Sequence, residues 1–189
     1  MRFYFIILLL VSCSNTSFVQ DDGKEEAMVW QKNRKLTWGD YQGKRQKRFA
    51  AASTVYSMYR NVSKTSSGNI IASVKALFWP KDSWKSNWID DALLAHEQKH
   101  FDIVELYARK LRKQLSEIKV HSEEDAQQKL DSLDKIIDAE MDAFQDKYDD
   151  ETNFSMAHDA QMSWIKKIDA AIDSLSTYQN TEVKLKTAF

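Results

Sequence analysis

One cysteine, one proline and four glycines in 189 residues leave this chain few of the residues that staple, kink or turn a backbone. The lone Cys13 rules out an intramolecular disulfide and denies the rest of the chain the thiolate clusters of closed structural zinc sites. Gly23, Gly39, Gly43, Gly68 and Pro80 all precede residue 81, so nothing in residues 81–189 breaks a helix outright. Lys and Arg number 27 against 28 Asp and Glu; the net charge of −1 carries no global bias toward nucleic acid. The basic run Lys44-Arg45-Gln46-Lys47-Arg48 is short and reads as a solvated loop. No apolar run reaches the roughly 20 residues that a membrane-spanning helix needs.

Residues 1–13 read as a targeting segment, with Arg2 as a positive n-region and Phe3 to Val11 as a short apolar stretch. The closing Leu10-Val11-Ser12-Cys13 resembles the lipobox of bacterial lipoproteins. That resemblance implies a lipid on Cys13, a membrane as partner and a place at the bacterial cell envelope, on the periplasmic side. Ser14 carries no inner-membrane retention signal, which favours the outer membrane. Residues 14–27 are polar and patternless and read as a tether; residues 28–178 form one domain, and 179–189 a polar tail.

Within the domain, Leu36 to Gly43 reads as a short strand entering a turn, and Ala51 to Arg60 as a second strand. In Asn69 to Trp79 the residues Ile70, Ala72, Val74, Ala76 and Phe78 alternate with more polar ones, the period of a strand with one buried face. The turn cluster Ser63–Gly68 joins the last two as a hairpin. Three helices follow: about Ser86 to Ile118, from Ser122 (Ser122-Glu123-Glu124-Asp125 resembles a capping box), and about Ser155 to Thr177. The expected class is α+β, a small antiparallel N-terminal sheet packed on a three-helix C-terminal part.

The first helix contains Ala95-His96-Glu97-Gln98-Lys99-His100, an H-E-x-x-H pattern. Residues four apart on a helix share a face, so His96 and His100 can aim at one metal ion. Both fall on the apolar stripe of Ile89, Leu93, Ile103, Tyr107, Leu111 and Leu115, where buried imidazoles need hydrogen-bond partners or a metal. Zinc suits this pair, and the intervening Glu97 is placed to take a proton from water on the metal. A catalytic site needs a third protein ligand. Ile103 and Leu106 stand where the extended metzincin pattern requires glycine and histidine. His121 lies about 30 Å along the helix from His100. His158, in the first turn of the third helix, is the favoured third ligand, with Glu140 on the second helix as the alternative.

The run from His96 to Arg109 resembles a family of uncharacterised bacterial secreted zinc-dependent proteases. Tyr148-Asp149-Asp150-Glu151-Thr152, with Gln161 and Trp164 downstream, is similar to that family's second signature, and Leu36-Thr37-Trp38 to its opening strand. The likeness covers about residues 28–175. It implies a zincin-like active-site helix and a zinc metallopeptidase acting on peptide or protein, with Glu97 as catalytic base. It also implies a histidine two residues after the threonine; Phe154 stands there instead, and phenylalanine cannot bind zinc. A displaced ligand, a weaker site or a member without metal are the readings this leaves, the last making the chain a binding or structural module of the envelope. Tyr148 reads as a core residue rather than an oxyanion donor. Asp102 and Glu105 read as solvated, and Trp79, Trp84 and Trp88 as core. The Asn69–Trp79 strand is the candidate edge for an extended substrate.

Overall fold

The computed structural model describes residues 18–21, 24–45 and 50–188. Cys13, and with it the lipid-anchor expectation, lies outside the described residues, as do Gln46, Lys47 and Arg48 of the basic run. In chain order come the strands β1 (Phe18–Asp21), β2 (Lys24–Val29), β3 (Ala52–Ser53), β4 (Tyr56–Lys64), β5 (Ile70–Phe78) and β6 (Trp84–Lys85). Helix α1 (Asp91–Glu117), strand β7 (Lys119–Val120), helices α2 (Glu123–Thr152) and α3 (His158–Ser174), and strands β8 (Glu182–Lys184) and β9 (Lys186–Thr187) complete the chain. The architecture is mixed α/β: an antiparallel sheet ordered β1-β2-β5-β4, with β8 also on β5, against three helices.

β5 is the spine of the sheet. Its alternation puts Ile70, Ala72, Val74, Ala76 and Phe78 on the buried face, each at most 3% exposed. β4 pairs with it without interruption from Tyr56↔Phe78 to Lys64↔Ile70, and the turn between them uses Gly68 at φ 84°, a left-handed conformation suited to glycine. Along its other edge β5 pairs with β2 at one end and β8 at the other. β5 is therefore interior, and the expectation of a free edge at Asn69–Trp79 is corrected. The strand expected at Leu36–Gly43 is instead a 3₁₀ turn, Trp38–Asp40. The reason is local: the Asp40 carboxylate accepts both the Thr37 backbone N–H, at 2.7 Å, and the Thr37 hydroxyl, so that N–H is lost to strand pairing. Residues 18–21 and 24–29, read largely as tether, pair as β1 and β2; the tail contributes β8, and β9 beside β7.

α1 runs through the centre of the molecule. It starts at Asp91 rather than Ser86, because Asp90 caps it by accepting the Leu93 N–H at 2.7 Å. Phe101, Ile103, Val104, Tyr107, Ala108, Leu111 and Leu115 are all buried, and each large one contributes about 1.5–3 kcal/mol of hydrophobic stabilisation. Its charged residues are buried too. Asp102 and Glu105, expected in solvent, are 0% and 3% exposed. Asp102 accepts the Trp30 indole N–H, the Gln98 amide and the Lys99 ammonium, each at 2.7 Å. Glu105 holds the guanidinium groups of Arg109 and Arg112, which in turn donate to the carbonyls of Ile172, Val74 and Tyr178. These bonds tie α1 to the N-terminal segment, the sheet and α3 at once, and so fix its rotation. The buried charges of this cluster are tolerated because each is paired and hydrogen-bonded.

α2 starts as expected: the Ser122 hydroxyl accepts the Asp125 N–H at 3.0 Å. It ends at Asn153, which with Phe154 and Ser155 forms three successive residues at positive φ (46°, 52° and 76°). That reversal is why α3 begins at His158 rather than Ser155.

Candidate metal centre

The rotation of α1 divides the residues of its H-E-x-x-H turn between two sides. Gln98 and Lys99 point to the structural cluster around Asp102, where Gln98 also accepts the Leu36 N–H at 2.7 Å and Lys99 reaches Asp169. His96, Glu97 and His100 line a cleft of about 1170 Å³. The histidine Nε2 atoms stand 3.2 Å apart. Asp149 of α2 places Oδ1 3.1 Å from His96 Nε2 and 3.0 Å from His100 Nε2, closing a nearly equilateral triangle.

The outer ends of both imidazoles decide what this triangle is. Gln145 donates its amide to the His100 carbonyl at 3.0 Å, which turns its own oxygen toward His100 Nδ1 at 2.7 Å. His100 Nδ1 is therefore a donor, and in the neutral ring Nε2 carries a lone pair. The Thr152 hydroxyl donates to the Tyr148 carbonyl at 2.7 Å and leaves a lone pair for His96 Nδ1, at 3.4 Å. Two imidazole lone pairs and a carboxylate oxygen thus converge, an arrangement that could hold a cation between them. The spacing agrees. Tetrahedral ligands about 2.0–2.2 Å from one ion lie about 3.3–3.6 Å apart, and cis ligands of an octahedral one about 3 Å. His96, His100 and Asp149 form a triad that could hold a metal ion, and this spacing does not single out one metal.

A proton serves where no metal does. Burial lowers the His100 pKa, but the Asp149 hydrogen bond and charge outweigh it and hold the net value above the usual histidine range. Conversely, burial raises the Asp149 pKa, and the bonds from His100 and His96 outweigh that, keeping its carboxyl well below the usual carboxylate range.

Neither expected third ligand belongs to this triad. His158 is exposed at the start of α3, and Glu140 is exposed on α2. Asp149 takes the position because it stands one residue after Tyr148, whose fully buried ring stacks on His96 at 4.7 Å and faces His100 edge-on at 5.3 Å. The Tyr148 hydroxyl donates to the His96 carbonyl at 3.4 Å, behind the histidines and away from an oxyanion. Phe154 is 61% exposed on the cleft rim.

Glu97, 6% exposed, is held by a chain of hydroxyls. Tyr41 donates to Thr54 at 2.7 Å, and Thr54 donates to Glu97 Oε2. Glu97 Oε1 accepts from no donor among the described residues. Tyr41 is locked into this chain by its neighbours, since Gln42 and Gly43 donate to the carbonyls of Pro80 and Ser83 at 2.9 and 2.8 Å. A Cβ on Gly43 would meet the Lys81 carbonyl oxygen at 2.7 Å, so only glycine permits this approach. On the cleft wall Tyr56 lies nearly parallel to the His100 ring, 6.5 Å away. Its hydroxyl is pushed up to about 12, by burial first and then by Asp142, Asp149, Asp146 and Glu97, and so stays protonated.

The profile of a bacterial protein family of unknown function (DUF922) matches residues 35–159, which takes in Glu97 and all three members of the triad. Searches of curated proteins and of solved structures return no significant match.

Proposed function

Because this chain belongs to the DUF922 family of bacterial proteins, with the whole triad inside the matched span, we propose that it is a zinc-dependent metallopeptidase whose active-site helix is zincin-like. The observation that carries the reading is the convergence of three donor atoms in a cleft that the Glu97 carboxylate, outside the triad, also lines. Two imidazoles and one carboxylate are a usual catalytic zinc set, with a position left open. Bound there, zinc supplies a Lewis acid that polarises a carbonyl and brings the pKa of water toward about 7.

The protein's own groups do the rest. His96, His100 and Asp149 hold the ion, with Gln145 and Thr152 fixing the imidazole tautomers. Glu97 takes a proton from the attacking water at its free Oε1 and returns it to the leaving amine. The Thr54 hydroxyl, donating to Oε2, keeps the Glu97 carboxylate aimed. Tyr56, rather than Tyr148, offers a protonated hydroxyl on the cleft wall. The stretch Ala50–Thr54, including β3, runs along one side of the cleft and suits an extended peptide.

Chelation tests this reading. The full chain is expected to cleave an unfolded protein, to stop when treated with a chelator, and to recover with zinc added back. Cleavage that survives complete metal removal contradicts it. Envelope attachment through Cys13 belongs to the same reading; a Cys13→Ser chain should leave the membrane fraction, and one that stays there opposes the lipid anchor.

A further inference from the structure

Five large apolar side chains stand exposed among the described residues, and three of them, Trp88, Phe154 and Met156, line the cleft of the triad (83%, 61% and 80% exposed). None is exposed because its backbone is loose. The buried Ser86 fixes the Trp88 backbone: its hydroxyl accepts the Trp88 N–H at 3.0 Å and faces the Trp88 carbonyl at 3.4 Å, while its own N–H donates to Ala51. The 153–155 reversal is pinned as tightly. The Phe154 N–H donates to the Asp149 carbonyl at 3.1 Å, Met156 to Asn153 at 3.0 Å, and Ala157 to Thr152 at 2.8 Å.

Phe154 is the informative residue. A phenylalanine at φ 52° pays a steric cost for its Cβ, and burial does not offset it, since the ring points into solvent. Neither folding nor packing accounts for a bulky apolar residue held this way. Strain of this kind concentrates at ligand clamps. The turn that bears it leaves α2 one helical turn after the triad member Asp149, whose carbonyl accepts the Phe154 N–H, so the ring is carried on the same unit as that carboxylate. The same cleft is lined by Ala50, Ala51 and Ala52, whose side chains are small, and by Leu93.

We infer that Trp88, Phe154 and Met156 form a wall that binds a large apolar side chain of the peptide substrate close to the bond being cleaved. This inference rests on the peptidase reading above. The preformed wall exchanges water for apolar contact without ordering any backbone, and it discriminates against a polar side chain in the same place.

The test uses the full chain, zinc-loaded and carrying Glu97→Gln, so that peptides persist. Two ten-residue peptides that differ only by Phe or Ser at one central position are titrated by calorimetry. The Phe peptide is expected to bind on the order of tenfold tighter or more. Trp88→Ser and Phe154→Gly should each bring the two peptides to within about twofold. Phe154→Gly should melt no lower than its parent, because glycine relieves the left-handed strain, so a lost preference there is not unfolding. Equal binding of the two peptides by the parent, or a preference that both variants retain, overturns the inference. So does rim-dependent retention on phosphatidylcholine vesicles without any peptide preference, which would make the wall a membrane contact. If the parent discriminates the peptides but the Glu97 protein cleaves neither, the wall stands and the peptidase reading falls.

Discussion

Glu97→Gln is expected to lower peptide turnover by about 10²–10⁴-fold, the usual contribution of a positioned general base. Glutamine keeps the shape of the side chain, and its carbonyl oxygen still accepts the Thr54 hydroxyl that Glu97 Oε2 accepts. The polar chain from Tyr41 to residue 97 therefore survives, and so does the orientation of α1. Metal content should be unchanged, because Glu97 is not part of the triad. The loss should lie in kcat, the signature of an interaction made at the transition state. Turnover within a few-fold of the parent would mean that some other group moves the proton.

Asp149→Ala should weaken metal binding by a hundredfold or more, beyond the roughly 10–100-fold cost of losing an outer-shell partner. Only His96 and His100 would remain of the triad. The same variant separates the two occupants of the site by pH. In the metal-free protein Asp149 raises the pKa of His100, and that raised pKa contributes stability fully present below the ordinary histidine value of about 6.5. It is lost as pH rises through the folded value. The lowered Asp149 pKa sets the acid limit, since that contribution fades as pH falls below the ordinary carboxylate range. Metal-free wild type should therefore melt above Asp149→Ala near pH 5.5, with the gap narrowing toward pH 8. Metal-loaded wild type should run the other way, because protons compete for the same lone pairs and metal binding strengthens as pH rises. Calorimetric melting of both proteins across that range checks both trends.

These predictions concern a residue that sequence reading passed over, and the reason is physical. Histidine is the commoner third ligand, which favours His158, and the carboxylate that the α2 pattern offers as alternative is Glu140, beside the apolar stripe. Asp149 lies beside the same stripe, between Tyr148 and Thr152, both fully buried. The signal was present in Tyr148-Asp149-Asp150-Glu151-Thr152, whose resemblance to a known signature singled out the stretch but not the role of its aspartate. The β5 alternation was legible because a strand with one buried face writes a period of two into its own residues. The β2 and β8 partners on its other edge were not, since pairing between residue 71 and residue 184 leaves no local trace. Asp102 and Glu105 misled for a related reason. Charge on a helix usually marks solvent, and the partners that complete their burial are distant in sequence: the Trp30 indole on Asp102, and the carbonyls of Ile172, Val74 and Tyr178 that take up the two arginines paired with Glu105. Trp88 inverted the usual rule in the other direction, an aromatic residue pinned outward by Ser86.

The most direct test of the metal centre is elemental analysis of the full chain, purified without chelator or affinity histidines, beside Asp149→Ala and His96→Ala. About one zinc per chain in the parent, and little in either variant at the same free zinc, is the predicted result. No metal after zinc is offered, or a stoichiometry that both variants retain, would contradict the triad. Iron in place of zinc would keep the triad and overturn the peptidase.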